Sequence, residues 1–258
     1  MLLAIDIGNT NIVLGCFDEG KILFRERVST NQQATDLEYA TRIRMALDIY
    51  HLHPEDITEA VISSVVPSVT ATLRQAIRKY LGCETMVVGP GIKTGLSIVI
   101  DDPAQLGSDL VVDAVAGIQE YPLPLIIIDM GTATTLSVVD SKKRYIGGII
   151  MTGAAVSMEA LVRRTAQLPK IAFEAPKHVI GTNTIDCMKS GVMYAGASAL
   201  DGMITRIEEE LGEPCTVVAT GGLAGVITPL CRRQIILDDD LLLKGLYLIY
   251  QKNKKQTE

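Results

Sequence analysis

The chain has 258 residues, 48% of them hydrophobic and 21% charged, ample material for one large core or two of ordinary size. Its net charge of −6, pI near 5.2 and lack of a Lys/Arg cluster argue against a nucleic-acid surface. Five scattered cysteines without a Cys-x-x-Cys argue against a zinc site, and no apolar run approaches the roughly 20 residues of a membrane span. With a strand at the very start in place of a basic leader, the expectation is a cytoplasmic protein with neither a membrane nor a nucleic-acid partner.

In chain order, alternating and continuous apolar runs predict strands over 3–7, 12–17 and 22–28, the last two joined by the turn Asp18-Glu19-Gly20-Lys21. Leu37, Ala40, Ile43, Leu47 and Tyr50 recur at helical spacing, so 36–50 reads as a helix. A buried strand over 60–64, a helix over 69–80 stopped by Gly82, and a short strand over 86–88 follow. An apolar helix is predicted over 111–118. Strands over 125–130, 134–139 and 145–150, helices over 154–165 and 184–210, a strand over 216–219 and a last helix over 241–252 complete the chain. The basic residues Lys252, Lys254 and Lys255 read as a solvated terminus.

The informative feature is a repeat. Ile5-Asp6-Ile7-Gly8-Asn9-Thr10 returns as Ile128-Asp129-Met130-Gly131-Thr132-Ala133, each time as strand, glycine turn and returning strand. The first copy could be an ordinary hairpin, because Gly-Asn and Asn-Thr suit turns. An Asp set flush against an apolar strand is costly to bury without a partner, and a cation or its water shell would offset that cost. The second copy could be a threonine-rich strand start favoured by β-propensity, yet its hydroxyls can also donate to phosphate oxygens. Two such turns facing each other would make a phosphate-transfer cleft. The halves share an element order, which places a boundary near residues 115–120 and divides the chain into domains 1–116 and 117–258, with exchange of a helix across it left open.

Two weaker signals accompany the repeat. Gly107-Ser108-Asp109-Leu110 reads first as a helix N-cap, although a carboxylate there could serve as a general base. Thr220-Gly221-Gly222 after a strand could admit a nucleotide or simply pack a helix tightly. His51, His53 and His178 have no ligand partner at useful spacing and read as surface or structural residues.

Together, Asp6–Asn11, Gly107–Asp109, Asp129–Thr135, Gly147-Gly148, Thr165–Pro169, Ile180–Thr184, Ser190-Gly191, Asp201-Gly202 and Ala219–Gly222 resemble the type III pantothenate kinases over nearly the whole chain. These belong to the acetate kinase, sugar kinase, heat-shock ATPase and actin superfamily. The resemblance implies an α/β, duplicated ribonuclease H-like (actin-like ATPase) fold of two similar mixed-sheet domains with an interdomain cleft. It implies ATP-dependent phosphorylation of pantothenate to 4′-phosphopantothenate, the first step of coenzyme A synthesis, by a homodimer. Asp6, Ile7, Gly8, Asn9, Thr10, Asn11, Ile12 and Val13 would then cradle the ATP phosphates, with Asp6 near Mg²⁺ and Thr132 also on phosphate. Asp109 would be the catalytic base. Gly107, Ser108, Asp109 and Leu110 would line the pantothenate pocket, completed by Thr184 of the partner subunit. Asp129 would bind a monovalent cation, K⁺ or NH₄⁺. Against the family pattern, Leu110 stands where Arg is usual, Ile100 where Tyr is common, Asp102 where Asn is common, and Thr152-Gly153 where Pro-Gly is usual. These departures leave open a same-fold kinase for another small hydroxyl compound; a non-catalytic nucleotide-binding regulator is the other alternative.

Overall fold

The computed structural model describes residues 1–254. The chain divides into two compact units. The first comprises Met1–Leu96, Asp102–Ala116 and the described residues from Asp240 on; the second comprises Ser97–Asp101 and Gly117–Asp239.

The first unit is built on a five-stranded sheet. Its strands are β1 (Leu2–Ile7), β2 (Asn11–Asp18), β3 (Lys21–Ser29), β4 (Glu59–Ser64) and β5 (Thr85–Val87), in the order β3-β2-β1-β4-β5. β1 runs antiparallel to β2 and parallel to β4, so it is central and buried along its whole length. Side chains alternate between the faces of a strand. Leu3, Ile5 and Ile7 therefore meet α1 (Asp36–Ile49) and α2 (Pro67–Leu81) in one core cluster. Leu2 and Ala4 meet Val112 of α3 (Ser108–Glu120) and Leu243, Leu246 and Ile249 of α7 (Leu241–Lys254) in another. By the same alternation Asp6 belongs to the α3 face.

Local chemistry sets the helix ends. Thr35 and Glu38 form a reciprocal capping box at the start of α1. Pro67 opens α2, where its missing N–H costs nothing.

The second unit repeats the plan. β7 (Leu125–Met130), β8 (Ala133–Val139), β9 (Arg144–Thr152), β10 (Thr216–Thr220) and β11 (Ile236–Leu237) stand in the order β11-β10-β7-β8-β9, and β6 (Ser97–Ile98) adds an outer strand beside β9. This order matches β5-β4-β1-β2-β3 element for element, with the same antiparallel and parallel pairings. Ile126, Ile128 and Met130 pack on the long helix α5 (Thr184–Leu211). Leu125, Ile127 and Asp129 point to the opposite face. The remaining helices are α4 (Ala154–Arg164) and the single turn α6 (Ala224–Ile227).

Lys252 and Lys254 are exposed, as expected of a solvated terminus, and the tail is also fastened: Lys252 Nζ donates to the Thr94 carbonyl at 3.0 Å, Asn253 bonds both the N–H and the carbonyl of Lys93, and Lys254 pairs with Glu59. Lys255 lies outside the described residues. The short strands β6 and β11 escape periodicity because two residues carry no period.

Candidate active site

In the first unit the Asp6–Asn11 segment is a closed turn. Gly8 N–H donates to the Asn11 carbonyl at 3.0 Å. Thr30, just past the end of β3, holds the turn, its N–H on the Thr10 carbonyl at 2.9 Å and its hydroxyl on the Gly8 carbonyl at 2.7 Å. Asn9 and Thr10 are exposed at the tip, whereas Ile7 and Ile12 are fully buried core residues. Whatever those two isoleucines offer a phosphate comes from the backbone.

Asp6 is 9% exposed and lies opposite Ser63 on β4. Ser63 Oγ and Ser108 Oγ are 3.0 Å apart. The Ser108 hydroxyl also accepts from Ser64 N–H at 3.1 Å and donates to the Ser64 carbonyl at 3.0 Å. This overturns the N-cap reading of Ser108: it is the first residue of α3, and it spends its oxygen on β4. The bridge brings Asp6, Ser63, Ser64, Ser108 and Asp109 to one end of the sheet.

Asp109 is half-buried. Its Oδ1 accepts from Leu110 N–H at 2.9 Å and lies so close to Gly107 that a Cβ there would sit 2.4 Å away. Burial pushes its pKa above the ordinary carboxylate value, partly countered by backbone N–H groups of Leu110 and Asp109. A carboxylate so placed is a stronger base than one in water and suits removal of a proton from an alcohol.

In the second unit Asp129, half-buried at the end of β7, lies opposite Thr135 of β8 and Thr220 of β10. The Thr220-Gly221-Gly222 turn abuts it. Gly221 has φ +94°, and a Cβ there would lie 2.5 Å from Asp129 Oδ1 and 2.6 Å from Met130 N. Gly153, just before α4, presses on the other side of the same turn, where a Cβ would come within 2.3 Å of the Thr132 carbonyl oxygen and 2.6 Å of that of Gly131. Three chain segments thus meet at this turn in close backbone contact that side chains would disturb, with Gly131 and Thr132 exposed. The Asp129 carboxylate is a hard oxygen ligand of the kind that suits alkali and alkaline-earth cations. Among the described residues no group of three or more His, Cys, Asp and Glu could hold a metal ion. A cation here would therefore share its shell with backbone, water or phosphate oxygens.

Thr184 opens α5 behind its N-cap Asn183, whose Oδ1 accepts from Asp186 N–H at 2.9 Å. Exposed, Thr184 lines a cavity of about 1000 Å³ within the second unit, together with Met130, Met151, Leu161, Met188 and Ile227. The expected residues therefore fall into two groups: Asp6–Val13 with Gly107–Leu110 in the first unit, and Asp129, Thr132 and Thr184 in the second. The three histidines are exposed. Sequence reasoning missed Ser63 and Ser64, which tie Asp6 to Asp109. Their only signal was a polar pair ending the apolar strand Ala60-Val61-Ile62.

The family model for type III pantothenate kinase matches residues 2–206. Curated proteins of that description from Halalkalibacterium halodurans and an Exiguobacterium species are each 45% identical to this chain, over 98% and 99% of it and 100% of each relative. Among solved structures, a ROK family glucokinase from Streptomyces griseus aligns with TM-score 0.51 at 12% identity, covering 98% of this chain and 99% of that one. The ethanolamine utilization protein EutJ from Carboxydothermus hydrogenoformans aligns with TM-score 0.54 at 13% identity, covering 96% and 88%. At these identities the structural likeness shows the fold alone, the duplicated actin-like ATPase fold.

Proposed function

Because the chain belongs to the type III pantothenate kinase family, we propose that it transfers the γ-phosphoryl group of ATP to the primary hydroxyl of pantothenate, giving 4′-phosphopantothenate for coenzyme A synthesis. The observation that carries the reading is the pair of Asp-x-Gly turns at corresponding places on two sheets that share a five-strand order.

In this reading the turn from Asp6 to Val13 and the exposed Thr132 hold the ATP phosphates through backbone and hydroxyl donors. Asp6 would orient the magnesium–ATP complex. Magnesium, when bound with ATP, supplies charge neutralisation on the phosphates. Asp109 takes the proton of the acceptor hydroxyl, and its burial keeps the carboxylate basic. Gly107, Ser108 and Leu110 position the acceptor beside it. Phosphoryl transfer asks little more of a protein than positioning and charge compensation.

Asp129 would hold a monovalent cation, K⁺ or NH₄⁺, through its carboxylate. We extend the reading to a homodimer in which Thr184 of the partner subunit closes the acceptor pocket. The exposed apolar residues Ile150, Val179, Ile180 and Ile185 of the second unit would be covered in it. The five free thiols fit a reducing cytoplasm. No helix among the described residues is long and apolar enough to cross a membrane.

The test is a coupled assay of ADP release with ATP, Mg²⁺ and pantothenate, with and without K⁺. Pantothenate-dependent turnover is expected, and its absence would overturn the reading. Light scattering of the purified chain tests the dimer, and a monomer at assay concentration would sink that part.

A further inference from the structure

Residues 8–11 close the turn between paired Ile7 and Ile12, and Thr30 reaches that turn with two hydrogen bonds. Its backbone N–H donates to the Thr10 carbonyl at 2.9 Å, and its hydroxyl donates to the Gly8 carbonyl at 2.7 Å. The Gly8 carbonyl and the Asn9 N–H belong to one peptide unit, and in a trans peptide they point in opposite directions. Holding the carbonyl toward half-buried Thr30 therefore turns the Asn9 N–H the other way, at the exposed tip. Among the described residues that N–H has no protein acceptor. The Gly8 N–H, by contrast, is spent inside the turn on the Asn11 carbonyl at 3.0 Å.

A turn at this place does not require that hydroxyl. In the second unit residues 131–133 close the turn between paired Met130 and Thr134. Thr152 pairs there with Ala133 as Ser29 pairs with Asn11, so the counterpart of Thr30 is Gly153. Gly153 has no side chain to donate, and a Cβ on it would come within 2.3 Å of the Thr132 carbonyl oxygen. The first turn thus carries an added restraint, and it falls on a peptide unit that glycine leaves free to rotate, because Gly8 has no Cβ to limit its backbone. We propose that Thr30 is a positioning residue for the nucleotide: by holding the Gly8 carbonyl, its hydroxyl fixes the Asn9 N–H as a donor to a phosphate oxygen of ATP. A donor fixed in advance binds without the cost of ordering its peptide on arrival of the ligand. This rests on the reading of the Asp6-to-Val13 turn as the ATP phosphate site, and it adds to that site a residue that acts through another.

The experiment measures the affinity of the full chain for a non-hydrolysable ATP analogue with Mg²⁺ by titration calorimetry, beside the KM values for ATP and pantothenate. Thr30→Val keeps the β-branched shape and the backbone N–H and removes the hydroxyl, whereas Thr30→Ser keeps the hydroxyl. Thr30→Val should lose about tenfold or more in nucleotide affinity, the scale of one hydrogen bond to a charged group. The KM for ATP should rise in step while the KM for pantothenate stays put, and Thr30→Ser should stay close to wild type. A general loss of stability would not split the two KM values in this way. Amide NMR of the wild-type chain reads the contact without a variant: the Asn9 N–H resonance should move downfield when the analogue is added. Wild-type affinity in Thr30→Val, equal losses in Thr30→Val and Thr30→Ser, or an unmoved Asn9 resonance would overturn the proposal and leave the kinase reading intact. The expected affinity changes without any pantothenate turnover would support the proposal and overturn the kinase reading. A wild-type chain that binds no nucleotide would overturn both.

Discussion

Ser108 and Ser64 are joined by a two-way clasp: the Ser108 hydroxyl accepts from the Ser64 N–H at 3.1 Å and donates to the Ser64 carbonyl at 3.0 Å. The clasp fixes the first turn of α3 to the end of β4, and Asp109 is the next residue along. Ser108→Ala leaves both backbone groups without this partner. A loss of about 1–3 kcal/mol of stability is expected, read as a lower urea midpoint with an unchanged slope. kcat should fall with it as Asp109 loses its placement, and a variant with wild-type kcat would show that the clasp is structural only.

Asp109→Asn should cut kcat by roughly 10²–10⁴-fold, the usual contribution of a general base, with ATP binding retained. Stability should move the other way. Burial raises the folded-state pKa of Asp109 above its unfolded value near 3.8, so the folded chain holds this proton more tightly than the unfolded one. The side chain's stability contribution is therefore complete below the unfolded pKa and is lost as pH rises through the folded pKa. Asn avoids that loss. Thermal melts should show the variant above wild type at pH 7, with the gap closing toward about pH 3. A variant melting below wild type at neutral pH would contradict a carboxylate whose desolvation outweighs its backbone hydrogen bonds.

The same shift predicts the wild-type pH profile. The base must be ionised, so the acid limb of kcat/KM should lie above the ordinary Asp value, and Asp109→Glu should shift it if that limb belongs to this residue. A limb unchanged in Asp109→Glu would assign it to another group.

Gly221→Ala should destabilise the second unit by about 1–3 kcal/mol through backbone strain, since φ is +94° and the new Cβ would meet Asp129 Oδ1 at 2.5 Å. Differential scanning fluorimetry with and without Mg-ATP separates the effects. A lower melting temperature together with a smaller ATP-induced rise is expected, whereas a full ATP-induced rise would remove this turn from nucleotide binding.

Asp129→Ala should abolish activation by K⁺, measured as the ratio of rates in K⁺ and in a bulky organic cation. An unchanged ratio would refute a cation role for Asp129.

Much of the fold was legible because its determinants are local. The strand at Leu125–Met130 is a run of apolar residues, and α5 opens at its Asn183 cap. The repeated Asp-x-Gly turns stood out because each interrupts an apolar strand with a charge. The candidate site was legible only in pieces. Ser63 and Ser64 lie far along the chain from Ser108, so a side-chain bridge between two elements leaves no periodic trace. Gly153, and the pressing of Gly221 on Asp129, depend on which loops meet at the strand ends.

By itself the sequence determined the alternation that puts Asp6 and Asp129 on the same relative face of two matching strands, because side-chain direction in a strand follows from local backbone geometry. Only the tertiary structure decided that Ser108 serves β4 instead of capping its own helix, and that the tail from Lys252 is fastened to the loop at Lys93 and Thr94. It also decided that Asp109 is buried enough to hold a proton more tightly than a free carboxylate. Hydrogen-bond choice and desolvation depend on which distant groups arrive at a side chain, and packing alone settles that.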